Sequence, residues 1–533
     1  MNLAWWLEHA ADEAPDKVAL IEGRSGISLT YGALRDRAEA VAAVLRDAAD
    51  VGPDDVVATL MPDNGWHVAV FYGVLRLGAV FSGFNRTLGQ AKFAMDIERS
   101  RVRVLVVAAA YRELAQALQA ETCVETVLVC EESEVSEDSG TPNLCALTTT
   151  PRAPVPMAPR ISADIAAVNF TGGTSGVAKG VIFTHGKLGL SGQASVFYER
   201  LTSRDTNLSC ISLYHSGGIQ DAVKWVMAGA TNLLMSGWDG RLAVRLLQDY
   251  RPTWIYFWVP TMVRDIMRQP EWEQLPLDGV GCLLAGETVQ PEMHEALAAR
   301  GMRVSNGYGM TETMPIAILK PQFLHGAPAP PGSCGRPNSE LCEVVLKDPE
   351  TGAVVDSPGM PGEVCVRGEV VTPGYHNDPE RTAAAVDDEG YLHTQDMAQF
   401  DASGDYWLAG RADDIINTGG EKLSLVEVEN VLRTHPALAD VACIGVAHQR
   451  FGMVPGALFV PAEDCDEAEL AAALDAHCLA SLERWKRPRL YGRLTEIPRT
   501  MPKRTKNMAA LRELVAGIEL DESRGVVTLG QLG

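Results

Sequence analysis

Strand-like and helical runs alternate along most of this chain, and that alternation is the strongest limit on its fold. WIYFWV at 254–259 and GCLLAG at 281–286 are short apolar runs bounded by breakers, while EMHEALAARG at 292–301 has helical spacing. Earlier, 19–46 (ALIEGRSGISLTYGALRDRAEAVAAVLR) reads as strand, turn and amphipathic helix, and 52–81 reads as strand followed by a buried helix. Parallel strands need a long crossover between them, usually a helix. The pattern therefore predicts βαβ units and an α/β fold with mostly parallel sheets in a large, multi-lobed N-terminal domain. The acidic and then Pro/Ser/Thr-rich stretch 131–160 reads as a surface excursion between two lobes.

The pattern changes twice. Residues 341–409 carry short β-type runs separated by Gly and Asp, as in CEVVLKD and GEVCVRG, and predict a small barrel-like β subdomain. Beyond 411, VEVENVLRTH, VACIGVA and ALFVPA alternate helix and strand in a compact α+β unit. The expected division is thus 1–411 for the large domain and 412–533 for a smaller cap, and no internal repeat is apparent. A length of 533 residues accommodates about three to four domain-sized units.

FTGGTSGVAKG at 170–180 concentrates glycines, hydroxyls and one lysine in a short loop between apolar runs, so it is placed on a turn joining two strands. Gly172, Gly173 and Gly176 let successive N–H groups approach an anion, Thr171, Thr174 and Ser175 add hydroxyl donors, and Lys179 adds a point charge. These are the requirements of a polyphosphate. The nucleotide-binding pattern GxxxxGK[ST], which opens a helix, is absent from the chain. A formal net charge of −23 argues against nucleic acid and anionic membrane as partners, but leaves room for ATP or CoA in local basic pockets.

Three further clusters follow: NGYGMTET at 306–313, YLHTQD at 391–396 and GRADDIINTGGEK at 410–422. In order and spacing, the whole set resembles the adenylate-forming enzymes, the superfamily of acyl-CoA synthetases, nonribosomal-peptide adenylation domains and luciferases. The resemblance runs from about Leu3 to about Leu514. It implies that a carboxylate is joined to the α-phosphorus of ATP with loss of pyrophosphate, and that the acyl group then passes to a nucleophile, often the CoA thiol. ATP, Mg²⁺ and CoA are the implied ligands.

The resemblance also implies roles. Lys179 and the glycine loop would hold the β- and γ-phosphates, Thr311 the α-phosphate, and Glu312 the Mg²⁺, a cation that prefers hard oxygen ligands. Gly286 and Glu287 would flank adenine, as would the turn Asn306, Gly307, Tyr308 and Gly309, with the Tyr308 ring as a stacking face. Asp396 would accept the ribose hydroxyls and Arg411 would donate to the same sugar. Asp413 matches the hinge about which the cap turns between adenylation and transfer, and Gly419 and Gly420 would let a pantetheine arm pass. Tyr214, His215 and Gly217 would border the acid pocket, and a histidine there favours an acid other than an amino acid. Trp225, Trp254, Tyr256 and Trp258 are open between pocket and core, and lean the reading towards an aromatic or bulky apolar acid. The basic stretch 482–493 is open between CoA phosphates and ion pairs with the large domain.

Four positions depart from the pattern. Gly172 stands where Ser is common, Ala178 where Pro is, and Gln395 where glycine precedes the ribose aspartate. Counting from Pro498, Arg499 and Thr500 puts Arg504 in the slot of the catalytic lysine, with Lys503 and Lys506 nearby, and arginine presents a planar fork rather than a compact ammonium. These departures keep other readings open: transfer to a carrier protein acting in trans or to an amine, activation of nitrite for N–N bond formation, or ATP binding without turnover. Eleven cysteines without a CxxC pair, most in apolar contexts, indicate a reducing compartment, the cytoplasm. The N-terminal segment lacks the basic and apolar parts of a signal peptide, and the run WIYFWVPTMV is about half the length of a membrane helix, so membrane insertion is not expected.

Overall fold

The computed structural model describes residues 1–132, 141–171, 179–286, 289, 291–314, 319–320, 330, 332–338, 341–411, 414–418, 421–463, 466–500, 505–520 and 527–529. The chain divides into two compact units, one comprising Met1–Val344, Cys365–His393 and Gly404–Tyr406, the other Val345–Val364, Thr394–Ser403 and Trp407–Gly533.

The first unit contains two sheets of the kind the alternation predicts. A six-stranded sheet runs Thr126–Cys130, Val102–Ala108, Val56–Leu60, Val80–Gly83, Ile165–Thr171, Lys179–Thr184, with only the last pair antiparallel. A seven-stranded sheet runs Arg303–Asn306, Gly281–Leu284, Trp254–Trp258, Thr206–Ser209, Thr231–Leu234, Val18–Glu22, Ser28–Thr30, again antiparallel only at the final pair. Central strands of a sheet covered on both faces must be apolar throughout; Val56–Leu60 is buried at every position.

Local chemistry sets the helix starts. Thr30, Asn64, Thr184 and Asp239 each accept a backbone N–H of the first turn of the helix they precede, as good N-caps do. The helix Gly65–Arg76 is almost wholly buried, as its apolar sequence requires.

A four-stranded sheet joins Glu343–Lys347, Gly362–Arg367, Leu392–Phe400 and Tyr406–Arg411, in sequence order, where short β runs were expected. In the second unit the long hairpin Leu438–His448 and Gly452–Pro461 centres a mixed sheet. One core, with Val428, Leu432, Phe459 and Leu474, packs under the helices Leu425–Arg433 and Glu467–Ser481; another includes Leu458, Leu490 and Leu511. In the basic stretch 482–493, Lys486 pairs with Glu427 at 2.9 Å, Arg493 with Glu467 at 3.5 Å, and Arg487 with Asp475. These charges are answered inside their own unit, which neither sequence alternative foresaw. Among the described residues, no helix is long and apolar enough to cross a membrane.

Candidate active site

Lys179 opens the strand Lys179–Thr184, directly after the glycine loop, whose residues Gly172, Gly173, Thr174, Ser175 and Gly176 lie outside the described residues. Thr171 closes the partner strand and pairs with Lys179 across the ladder. The strand's other edge is taken by the segment 374–376: His376 N donates to Gly180 O at 2.7 Å and Ile182 N to Gly374 O at 3.2 Å. This brings Tyr375 beside the lysine, with the Lys179 ammonium 5.1 Å from the ring centroid, within cation–π range.

The same tyrosine reaches Glu312. Its hydroxyl donates to Glu312 Oε1 at 2.9 Å, and the burial of the phenol next to that carboxylate raises its pKa. Thr311 and Glu312 are both buried, and Thr372 N donates to Glu312 O at 2.7 Å. Two carbonyls of this turn also receive the ammonium of Lys187, which is itself buried. Lys179 and Glu312 are therefore linked through Tyr375, and Thr311 precedes Glu312 in the same turn. The Glu312 carboxylate keeps a second oxygen beyond the tyrosine bond, and carboxylate and hydroxyl oxygens are the hard donors that Mg²⁺ accepts.

Asn306 ends the strand Arg303–Asn306, and Gly307 N donates to Leu284 O at 2.7 Å, so the turn of Gly307, Tyr308 and Gly309 leaves the carboxyl edge of two adjacent parallel strands. Gly286 follows the neighbouring strand at φ +86°, a backbone region that only glycine adopts freely. Ligands of open α/β sheets bind at this edge. Tyr308 is buried; Glu287 lies outside the described residues.

His215 is the N-cap position of the helix Ser216–Met227, with its ring 5.6 Å from that of Tyr214. His215 N donates to Ser212 O at 2.8 Å, and Leu213 N to Asp63 Oδ1 at 3.0 Å, so the turn is tied to a second element. Burial, then the charge of Asp63, raises the Tyr214 pKa. Gly217 and Gly218 are buried in the first helical turn, and a Cβ on Gly218 would collide with the carbonyl of Ser212. Gly218→Ala should therefore destabilise the protein by about 1–3 kcal/mol, which denaturant titration checks.

The aromatic quartet resolves as core. Trp225, Trp254 and Tyr256 share one buried cluster and Trp258 sits in another, all 1% exposed or less. Asp221, in the helix that follows His215, is engaged: its carboxylate accepts from Ser209 at 3.0 Å and Trp225 at 3.2 Å, and pairs with Lys224 at 3.4 Å. It offers no free carboxylate for a substrate ammonium.

In the second unit, Asp396 pairs with Arg411 at 3.0 Å. Gln395 has φ +60°, which explains why glycine is common at this position; its N–H donates to Glu363 and its amide oxygen accepts from Arg411 at 3.3 Å. Lys506 donates to Val441 O at 2.6 Å and pairs with Glu429, and its burial lowers its pKa, partly offset by that glutamate. Asp413, Gly419, Gly420, Lys503 and Arg504 lie outside the described residues.

Tyr375, Lys187 and Thr372 were not singled out in the sequence. Nothing in its spacing joins Tyr375 to a carboxylate 63 positions away. The one available signal for Lys187 was a charge among the apolar residues at the start of a helix.

Comparison with known proteins adds to this geometry. The profile of a family described as AMP-binding enzyme matches residues 7–376, and that of the AMP-binding enzyme C-terminal domain matches 427–503. A feruloyl-CoA synthase of Amycolatopsis sp. is 31% identical over 495 residues, covering 92% of this chain and 93% of its own. A 4-coumarate–CoA ligase of Pinus taeda is 29% identical, covering 86% and 85%. Among solved structures, the anthranilate CoA ligase AuaEII in complex with anthranoyl-AMP superposes with a TM-score of 0.84 at 26% identity, over 97% of both chains.

Proposed function

The chain belongs to the AMP-binding enzyme family, and from that premise we propose that it is an ATP-dependent carboxylic acid–CoA ligase acting on an aromatic acid. The acid's oxygen attacks the α-phosphorus of ATP, the bond to the β-phosphate oxygen breaks, and pyrophosphate leaves. The CoA sulfur then attacks the acyl carbon, and AMP leaves. Bound Mg²⁺ supplies charge neutralisation along the phosphates.

The observation that carries the proposal is the linked array of Lys179, Tyr375 and Glu312 beside Thr311. Bringing two anions together is mainly a problem of positioning and electrostatics. Lys179 is assigned to the outer phosphates, where charge collects on the leaving group, Thr311 to the α-phosphate, and Glu312 to the cation. Gly286 and Tyr308 are assigned to adenine, Asp396 and Arg411 to ribose, and His215 with Tyr214 to the acid. Lys506, held by Glu429 and Val441, is assigned a structural part, which leaves Arg504, with Lys503 beside it, for the basic role in adenylation. A hinge near Asp413 and passage of pantetheine past Gly419 and Gly420 complete the reading.

The aromatic acid is supported by the relatives, two of which take hydroxycinnamate-type acids and one anthranilate by name. The commitment of Asp221 to Lys224 argues against an amino acid held through its ammonium. All three relatives are CoA ligases or synthases, so transfer to a carrier or amine, nitrite activation and silent ATP binding are not favoured. Eight of the ten described cysteines are buried and all ten are free, in keeping with a reducing cytoplasm.

Pyrophosphate release should be measured with ATP and Mg²⁺ across aryl, fatty, amino and small inorganic acids, with and without CoA. Release with aryl acids and a CoA-dependent thioester is the expected result. Acid-dependent release without thioester under any condition would reject the CoA assignment. In the same assay Arg504→Ala should lose acid-dependent release and Lys506→Met should keep it.

A further inference from the structure

Lys187 lies in the first turn of the helix His185–Glu199, where its backbone N–H is capped by Thr184 at 3.0 Å. Its side chain turns inward and is 1% exposed. The ammonium donates to Thr311 O at 3.1 Å and Glu312 O at 2.8 Å, and stands 4.5 Å from the Phe183 ring centroid.

That placement is unfavourable on two counts. Removing an ammonium from water is among the most costly burials a protein makes, and here its hydrogen bonds go to two backbone carbonyls. A cation in the first turn of a helix also opposes the helix dipole. An apolar side chain of similar length would fill the same space at neither cost, so packing alone does not account for a lysine.

The turn that it grips is strained. Met314, which ends it, is fully buried at φ +60°, a region a long side chain rarely adopts. Such a conformation persists only where its surroundings over-determine it. Here the constraints are Met310 N donating to Thr313 Oγ1 at 3.2 Å, Thr372 N donating to Glu312 O at 2.7 Å, and the two bonds from Lys187. Among the described residues Lys187 alone spans both carbonyls, and so holds the two peptides that flank the Glu312 Cα.

We propose that Lys187 is a positioning residue for the divalent cation: it locks the 311–312 peptide so that the Glu312 carboxylate, steadied by Tyr375, is presented to the Mg²⁺ of the bound nucleotide. The inference rests on the reading of Glu312 as the cation's ligand. Lys187 itself touches neither metal nor substrate in this role.

The test is calorimetric ATP binding to the full chain across a Mg²⁺ series, for the wild type and Lys187→Met, with thermal unfolding as the check on folding. The variant should bind ATP without Mg²⁺ as the wild type does, while the Mg²⁺ concentration that half-saturates the tightening rises about tenfold. Lys187→Gln, which keeps one donor, should fall between the two; if the methionine variant does not fold, the glutamine variant carries the comparison. An unchanged Mg²⁺ midpoint, or an equal loss of affinity with and without Mg²⁺, would overturn the proposal. The reaction assigned above is judged separately. If no acid elicits pyrophosphate release while the Mg²⁺ midpoint still shifts, the reaction is wrong and the role of Lys187 stands; normal turnover with an unshifted midpoint is the reverse.

Discussion

Glu312→Gln should lower the rate of adenylate formation by about two to three orders of magnitude, the scale on which loss of one preorganised electrostatic group acts. The substitution preserves shape, so the backbone carbonyl of residue 312 should still receive Lys187 and Thr372. What it removes is the negative charge assigned to the cation in the proposed site. Tyr375→Phe tests the same carboxylate from the other side. It deletes the 2.9 Å bond to Oε1 while leaving the ring that faces Lys179, and a loss of about tenfold to a hundredfold is expected, as for other partners that orient a metal ligand. Single-turnover adenylate formation with saturating ATP and acid separates these effects from binding. A Glu312→Gln enzyme of near wild-type rate would remove Glu312 from the cation site.

The largest effect on stability is expected at Lys224. Its ammonium is fully buried, 3.7 Å from Glu199 Oε2 and 3.4 Å from Asp221 Oδ1, against the ring of Tyr256. Tyr256 donates to the other oxygen of Glu199 at 2.7 Å. Lys224→Met fills the volume but leaves two carboxylates without their cation, and removal of one partner from a buried pair costs about 3–5 kcal/mol. Urea denaturation should show that loss in full; a change within the range of a surface substitution would mean that the cluster is not held by charge.

The same cluster gives a pH dependence. Burial raises the Glu199 pKa from 4.5 to about 7, against the opposing pull of Lys224. A folded pKa above the unfolded one means that the folded state binds the proton more tightly, so this contribution to stability is complete below pH 4.5 and is lost as the pH rises through about 7. Glu199→Gln, a fixed mimic of the protonated acid, should be more stable than the wild type above pH 7 relative to its standing below pH 5, measured as the difference in urea midpoint.

Much of the molecule was legible in the chain. The strands of the parallel sheets fell on the apolar runs, because a strand covered on both faces needs side chains that are apolar throughout. Thr30, Asn64 and Thr184 cap helix starts through bonds that span three residues, so those boundaries are set locally. Lys179, Thr311 and Glu312 were singled out because glycines and hydroxyls clustered along the sequence carry a recognisable pattern. The aromatic residues 225, 254, 256 and 258 stayed open between pocket and core for the opposite reason: a pocket wall and a core have the same composition, and only packing separates them.

The sequence by itself determined the α/β class, the short motifs and the family, all of which depend on periodicity or on residues close together in the chain. The tertiary structure alone decided which distant groups meet. Tyr375 reaches Glu312, Lys187 reaches the carbonyls of 311 and 312, and Lys224 settles between Glu199 and Asp221. Each of these contacts depends on a bond a few ångströms long between residues far apart in the chain. Sequence spacing cannot encode such a distance; sheet register and side-chain packing set it.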